Sequence, residues 1–380
     1  MIDLDLFAGA GGLAVGLKAA GFSPAHFYEL DEHSCETLRC NSKPDRETIS
    51  GPVHEGDVRD IDWSTVSEQV RLLAAGAPCQ PFSLGGKHLA QHDGRNLFPE
   101  VLRAIRGLRP EAVLLENVRG LVRHAFLPYF DYILRQLECP SVDPRPNELW
   151  QNHDERIRRH QCVPGYEPEY EVVSRVLDAA DYGVPQNRLR VFIVAMRRDL
   201  PRYKFPPKTH SKAALMGSQR SGDYWTRHGL RKPKSLPGNG SEPQKDDLLP
   251  WVTVRDALQC LPEPAASETE SSSNHWAIPG ARVYTGHSGS ILDWPSKTIK
   301  AGVHGVPGGE NSLITDGGEI RYYTLREAAR MQSFPDRHFF EGARIHVTRQ
   351  IGNAVPCDLA AAVARPLYQL LTESREKSAR

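Results

Sequence analysis

From Ile2 to Met196, short β-branched or apolar runs alternate with longer amphipathic stretches, and this alternation constrains the fold more than any other feature of the chain. A period of two half-buries a strand, a period of 3.6 buries one stripe of a helix, and regular alternation of the two builds βαβ units on a parallel sheet. The pattern predicts strands over 2–7, 25–30, 53–57, 71–76, 111–116, 170–177 and 190–196, with helices over 13–20, 32–40, 97–107 and 126–138. Between Cys139 and Pro168 five prolines and many charges break the rhythm, so 139–168 reads as a surface insertion. After Met196 the alternation stops. Residues 200–320 are rich in Pro, Gly, Ser and basic side chains with scattered aromatics, which marks a second domain. Regular structure resumes at Thr324-Leu325-Arg326-Glu327, a capping box, and Pro335 ends that element; a last apolar helix covers about 356–372, with 373–380 frayed.

At 380 residues, 39% hydrophobic and 25% charged, the chain can bury one large α/β core plus a smaller one, which excludes disorder throughout. No apolar run approaches the roughly 20 residues of a membrane span. The first strand pattern begins almost at Met1, leaving no room for a signal peptide, so the expectation is a cytoplasmic protein with no membrane partner. Seven cysteines, odd in number and without a Cys-x-x-Cys pair, are expected to be reduced thiols. His153, His160 and Cys162 lie close in sequence but match no zinc spacing, so a solvated loop and no metal are expected there. Formal charge is zero, yet thirteen Lys or Arg face two acids between Gln186 and Ser235. That run is either a phosphate-facing surface, favoured by counterion release, or a solvated basic linker.

Directly after the first strand, Gly9-Ala10-Gly11-Gly12-Leu13-Ala14 forms a Gly-x-Gly-x-x-Ala turn that brings backbone close to a ligand at a helix start. Glu29, at the end of strand two, can grip ribose hydroxyls, and Asp57 at the end of strand three can accept from an adenine amino group. These features signal a nucleoside pocket and fit a nicotinamide-dependent dehydrogenase as well as a methyltransferase, with a simple tight turn as a third reading. The fourth strand runs into Gly76-Ala77-Pro78-Cys79-Gln80-Pro81-Phe82-Ser83, a proline-braced turn that sets a thiol at the carboxyl edge of the sheet. Glu116-Asn117-Val118 closes the next strand at the same edge. Gln186-Asn187-Arg188-Leu189-Arg190 opens a later one, with two guanidinium groups at one-residue spacing expected to point the same way.

A thiol, a carboxyl and an arginine beside a nucleoside pocket suit one chemistry above others. Carbon 5 of cytosine is too weak a nucleophile to take a methyl group from a sulfonium. Thiolate addition at carbon 6 turns the ring into an enamine-like nucleophile, helped by an acid at N3. Cys79 would supply the thiolate, Glu116 the acid with a raised pKa, and Arg190 a charge-assisted hydrogen bond to the carbonyl oxygen at position 2.

Six ordered blocks resemble the motifs of the DNA (cytosine-5) methyltransferase family: Asp5 to Gly12, Pro78-Cys79-Gln80, Glu116-Asn117-Val118, Gln186-x-Arg188-x-Arg190, Arg321 to Asp336, and Gly352-Asn353-Ala354-Val355-Pro356. The resemblance covers 3–196 and about 321–370. It implies an α/β, Rossmann-like S-adenosylmethionine-dependent methyltransferase domain with a mostly parallel sheet over 1–204. A smaller target-recognition domain would occupy 205–322, and 323–380 would form a hinge and a C-terminal helix returning to the catalytic domain. The implied catalytic set is Cys79, Glu116, Arg190, Asn117 and Arg188. S-adenosylmethionine, leaving as S-adenosylhomocysteine, would be surrounded by Phe7, Ala8, Gly9, Ala10, Gly11, Gly12, Glu29, Leu30, Asp57, Val58, Gly76, Pro78, Asn353 and Val355. Gln80, Ser83, Gly85, Lys87 and Arg95 would contact double-stranded DNA from a polar, glycine-containing loop that helps extrude the target base.

The implied role is the modification half of a restriction-modification pair, a nucleoid-associated monomer whose cognate endonuclease shares its site. An RNA-directed member of the family is disfavoured by the more than one hundred residues given to recognition. A catalytically silent DNA-binding homologue would have no need of the thiol, and a dehydrogenase leaves Pro78-Cys79-Gln80 unexplained.

Overall fold

Strand β1 (Ile2–Leu6) sets the frame: Leu4 and Leu6 enter the apolar core, while Asp3 and Asp5 take the opposite face by the two-residue period of the strand. The computed structural model to which it belongs describes residues 1–23, 26–78, 96–234, 247–267, 274–281, 288–302 and 311–378. The expected alternation follows: α1 (Gly12–Ala19), β2 (His26–Glu29), α2 (Glu32–Asn41), β3 (Val53–Glu55), β4 (Val70–Ala75), α3 (Phe98–Leu108), β5 (Ala112–Val118) and α4 (Leu127–Glu138). After α5 (Trp150–Gln161) come β6 (Tyr170–Asp178) and β7 (Leu189–Arg197). The strands stand in the order β3-β2-β1-β4-β5-β7-β6. Pairing from β3 through β5 is parallel, and β7 runs antiparallel to β5. Strand order reverses between β1 and β4, the switch point beyond whose carboxyl ends open α/β sheets bind ligands. Helix α3 shows how the layer packs: Phe98, Val101, Leu102 and Ile105, at helical spacing, are its buried face over Leu73, Val113 and Leu115 of the sheet.

The chain divides into two units. The first comprises Met1–Leu177, Leu189–Phe205 and Ala360–Arg380; the second comprises Asp178–Arg188 and Pro206–Leu359. In the second, regular elements are short: β8 (His210–Ser211), α6 (Lys212–Ser221), α7 (Asp223–Arg227), β9 (Leu249–Pro250), α8 (Val254–Leu258), β10 (Ser290–Ile291), β11 (Ser312–Ile314), β12 (Ile320–Tyr322), α9 (Leu325–Met331) and α10 (Arg344–Asn353). A small cluster of Leu215, Tyr224 and Trp225, with Trp251 and Trp294 against it, supplies apolar burial. Thr324 and Glu327 form the expected capping box at the start of α9. A last helix, α11 (Cys357–Ser378), carries the chain back into the first unit.

Three expectations change. The 139–168 insertion holds helix α5, docked on α4 through Arg135–Asp154 and the rings of Trp150 and Tyr132. Its buried face contains His153 and Asp154, polar residues that periodicity does not count. His153 is therefore no solvated loop residue: Nε2 donates to the Val142 carbonyl at 2.8 Å, which leaves Nδ1 to accept from the Tyr132 hydroxyl at 2.7 Å. Burial lowers its pKa. The C-terminal stretch is not frayed at 373; α11 continues to Ser378, and Arg375 donates to Glu111 at 2.5 Å. Part of the basic run from 186 to 235 is paired within the fold. Arg198, Arg202, Lys208 and Arg227 meet Glu167, Glu171, Asp181 and Asp256. The six described cysteines are free thiols, and no group of three or more possible metal ligands occurs among the described residues. No described helix is long and apolar enough to cross a membrane.

Candidate active site

The turn after β1 is held in an unusual backbone. Phe7, Gly9 and Gly11 all take positive φ, at 57°, 54° and 84°. For a phenylalanine this is a strained conformation, of the kind that persists where surrounding structure enforces it. Glu29 enforces it here: Oε2 accepts from the Gly9 amide at 2.8 Å, and Oε1 from the amides of Leu30 and Asp31, each at 2.8 Å. Burial raises the Glu29 pKa, against the opposing pull of those three amides. The Ala8 amide also donates to Tyr28 at 3.2 Å, so the turn is tied to β2 twice. A side chain added at Gly9 would meet open space. Ala8, Ala10 and Gly12 are buried in the turn and first helical residue, and Leu30 stands 64% exposed beside it. On the neighbouring strand end, Asp57 caps the short 3-10 helix Val58–Asp60, where Val58 is buried. The Arg59 guanidinium lies on both Asp57 oxygens and holds that carboxyl down at about 2.

Asp5, the first residue of the first motif block, carries no role assigned from the sequence. It is wholly buried on β1, and neither carboxyl oxygen has a hydrogen-bond partner. Burial, then the nearby Glu29, push its pKa well above the ordinary range. Its neighbour two residues back, Asp3, has Arg71 as partner. A buried acid whose oxygens meet no described donor is favoured in its neutral, protonated form.

At the carboxyl end of the sheet, Glu116 and Arg190 form a buried ion pair, with Nε to Oε1 at 2.8 Å. The register explains the meeting: Val118 lies opposite Arg190 and Glu116 opposite Phe192, so Glu116 and Arg190 are diagonal neighbours on one face of the β5–β7 ladder. Asn117 Nδ2 donates to the Ala77 carbonyl at 3.2 Å and so fixes the end of β4 against β5. Gly76 and Pro78 there are half-buried. Cys79, Gln80, Ser83, Gly85, Lys87 and Arg95 lie outside the described residues.

The two arginines of Gln186-x-Arg188-x-Arg190 do not point the same way. Two-residue periodicity holds only inside a strand, and β7 begins at Leu189. Arg188, 1% exposed, donates within the second unit to the carbonyls of Ile299, Gly352 and Ala354 at 2.9, 2.7 and 3.1 Å. Gln186, likewise buried, donates to the Met331 carbonyl and accepts from the Ile299 amide. In the same unit Asn353 is exposed and Val355 buried. Gly352 touches the backbone at Lys300 and Ala301 so closely that a Cβ would fall 2.3 Å from the Ala301 nitrogen.

The comparisons with known proteins agree on one family. The model of the C-5 cytosine-specific DNA methylases matches residues 1–139 and 165–369, leaving out most of the insertion. The type II methyltransferase M.Eco47II of Escherichia coli is 32% identical, over 98% of this chain and 80% of its own length. M.NgoMIV of Neisseria gonorrhoeae is 31% identical over 97% of each chain. Among solved structures, the S. pombe Dnmt2 methyltransferase aligns with a TM-score of 0.57 at 15% identity, over 98% of this chain and 99% of that one. An Entamoeba histolytica methyltransferase gives 0.59 at 14%, over 99% of each. With a family model matched over nearly the whole length and relatives above 30% identity, the chain belongs to the C-5 cytosine-specific DNA methylases.

Proposed function

We propose that Cys79, Glu116 and Arg190 carry out cytosine-5 methylation of double-stranded DNA, with S-adenosylmethionine as donor, and that the chain is a cytoplasmic modification enzyme shielding its sites from a cognate endonuclease. The observation that supports this reading is the buried Glu116–Arg190 pair, one strand from the Ala77-Pro78 strand end that leads into Cys79. When bound, the cofactor supplies an electrophilic methyl group on a sulfonium and leaves as S-adenosylhomocysteine.

The residues around the β1 turn fit such a cofactor. Asp5 offers an unpartnered carboxyl to a cation, Glu29 is already oriented toward the turn, and Leu30 presents an apolar face. Asp57 can take an adenine amino group only if Arg59, more than half exposed, swings away. The Cys79 thiolate adds to carbon 6 of the extruded cytosine, forming a C–S bond. Glu116 holds a proton at N3, and Arg190 neutralises charge growing on the position-2 oxygen. After methylation, loss of the carbon 5 proton expels the thiolate and restores the ring.

The test is to incubate the protein with labelled S-adenosylmethionine and duplexes carrying varied sites, then map the product by sequencing. Absence of methyl transfer to any cytosine would overturn the reading. Cys79→Ser is expected to abolish transfer and leave cofactor binding intact.

A further inference from the structure

Most arginines of the first unit are held by carboxylates. Arg39 meets Glu55, Arg71 meets Asp3, Arg103 meets Glu100, Arg135 meets Asp154, Arg190 meets Glu116 and Arg202 meets Glu171. The segment directly after the catalytic strand end differs. Beyond Glu116-Asn117-Val118 the chain turns through two short 3-10 helices, Arg119–Val122 and His124–Phe126. The Arg119 side chain is exposed and that of Arg123 half-buried, and neither side chain has an ion-pair or hydrogen-bond partner among the described residues. The backbone beneath them is anchored: Leu121 and Phe126 are buried, the Arg123 amide donates to Gly120 at 3.2 Å, and the Phe126 amide donates to Arg123 at 2.8 Å. These two guanidinium groups stand on a fixed turn without a described partner, whereas Arg198, Lys208 and Arg227 of the 186–235 run are held by acids.

We propose that Arg119 and Arg123 bind the phosphates flanking the extruded cytosine. The proposal rests on the reading of Glu116 as the group that receives the base. A base delivered to Glu116 remains tied to its own strand, so the phosphates on either side must pass close to the end of β5. Arg119 is three residues from Glu116, a chain reach of about 10 Å at most. The planar guanidinium matches two phosphate oxygens at once, and with no carboxylate to displace, contact releases counterions without breaking an internal pair. Such contacts set the register of the strand rather than read its sequence.

The experiment measures duplex affinity against salt concentration for the wild type, Arg119→Gln, Arg123→Gln and the double variant, with S-adenosylmethionine binding as the check on folding. Each substitution is expected to weaken binding about tenfold near 0.1 M salt and to flatten the log–log salt slope by about 0.9, about 1.8 for the pair. Arg119→Lys should keep the slope, because the charge remains. If the wild type binds duplex and the double variant retains its full slope, the arginines do not touch phosphate and the inference is overturned by itself. If the wild type neither binds nor methylates any duplex, the DNA reading falls, and the inference with it.

Discussion

The two units bury polar side chains to opposite ends. In the first, Asp5 on β1 is buried with neither carboxyl oxygen bonded to a described group, Glu29 on β2 orders the turn by accepting from three backbone amides, and Glu116 on β5 meets Arg190. In the second, strands of two or three residues leave most backbone groups without a ladder partner, and buried side chains take over that task. Arg188 gathers three carbonyls, Gln332 donates to Ile351 and Ala354, Asn274 exchanges two hydrogen bonds with Phe340, and Arg326 donates to His338. The difference divides a single motif. Its first half, through Arg188, builds loops; its second half, Arg190, faces a carboxylate in the sheet.

The sharpest way to break this division is to alter each side in turn. Glu116→Gln keeps the size and loses the acid, so methyl transfer should fall by about 10²–10⁴ while cofactor binding persists. Arg190→Met should cost about 10²–10³ in transfer through the lost charge-assisted donor. Arg188→Met removes a buried donor from three carbonyls, of which that of Ala354 keeps Gln332, and should destabilise the second unit by about 3–5 kcal/mol, read in denaturant unfolding. If Arg188→Met melted like the wild type and lost transfer as severely as Arg190→Met, the motif would not be divided in this way.

Legibility in the sequence follows the same boundary. Where hydrophobic periodicity builds the structure, strands β1 to β7 and helices α1 to α4 lie within a residue or two of expectation. Where polar burial builds it, the pattern is silent: α5 hides His153 and Asp154 on its inner face. Charge counting along the chain fails for a related reason, because Arg190 and Arg198 find Glu116 and Glu167 across the fold rather than in the run. Asp5 takes no role from the sequence because an acid in an alternating strand reads as its solvent face until burial is known. The Glu116–Arg190 pair was legible as two residues, but their diagonal meeting required the β5–β7 register.

Asp5 permits a finer test of the first unit. Its folded pKa is raised by burial, so the native state binds a proton more tightly than the unfolded chain does. Stability linked to this group is full below the unfolded carboxyl value of about 3.9 and declines as pH rises from there toward the folded value. Asp5→Asn removes that dependence. Without cofactor, the variant should melt higher than the wild type by a margin that grows from pH 4 to pH 8, while its affinity for cationic S-adenosylmethionine falls. An unchanged margin across that range, measured by thermal unfolding, would mean that Asp5 finds a partner in solution and is not held for a ligand.

The smallest effect belongs to the second unit. Thr324 accepts from the Glu327 amide, Glu327 accepts from the Thr324 amide at 2.8 Å, and Arg321 in turn grips Glu327. The Thr324 hydroxyl also lies 2.8 Å from His275 Nδ1, whose other nitrogen donates to the Pro262 carbonyl. Nδ1 of that ring therefore accepts, and the hydroxyl serves helix and loop together. Thr324→Ala removes both contacts and should cost about 1–2 kcal/mol. Thr324→Ser, which keeps the hydroxyl, should recover most of it. Equal losses in the two variants would show that methyl packing rather than the hydrogen-bonded hydroxyl stabilises this unit.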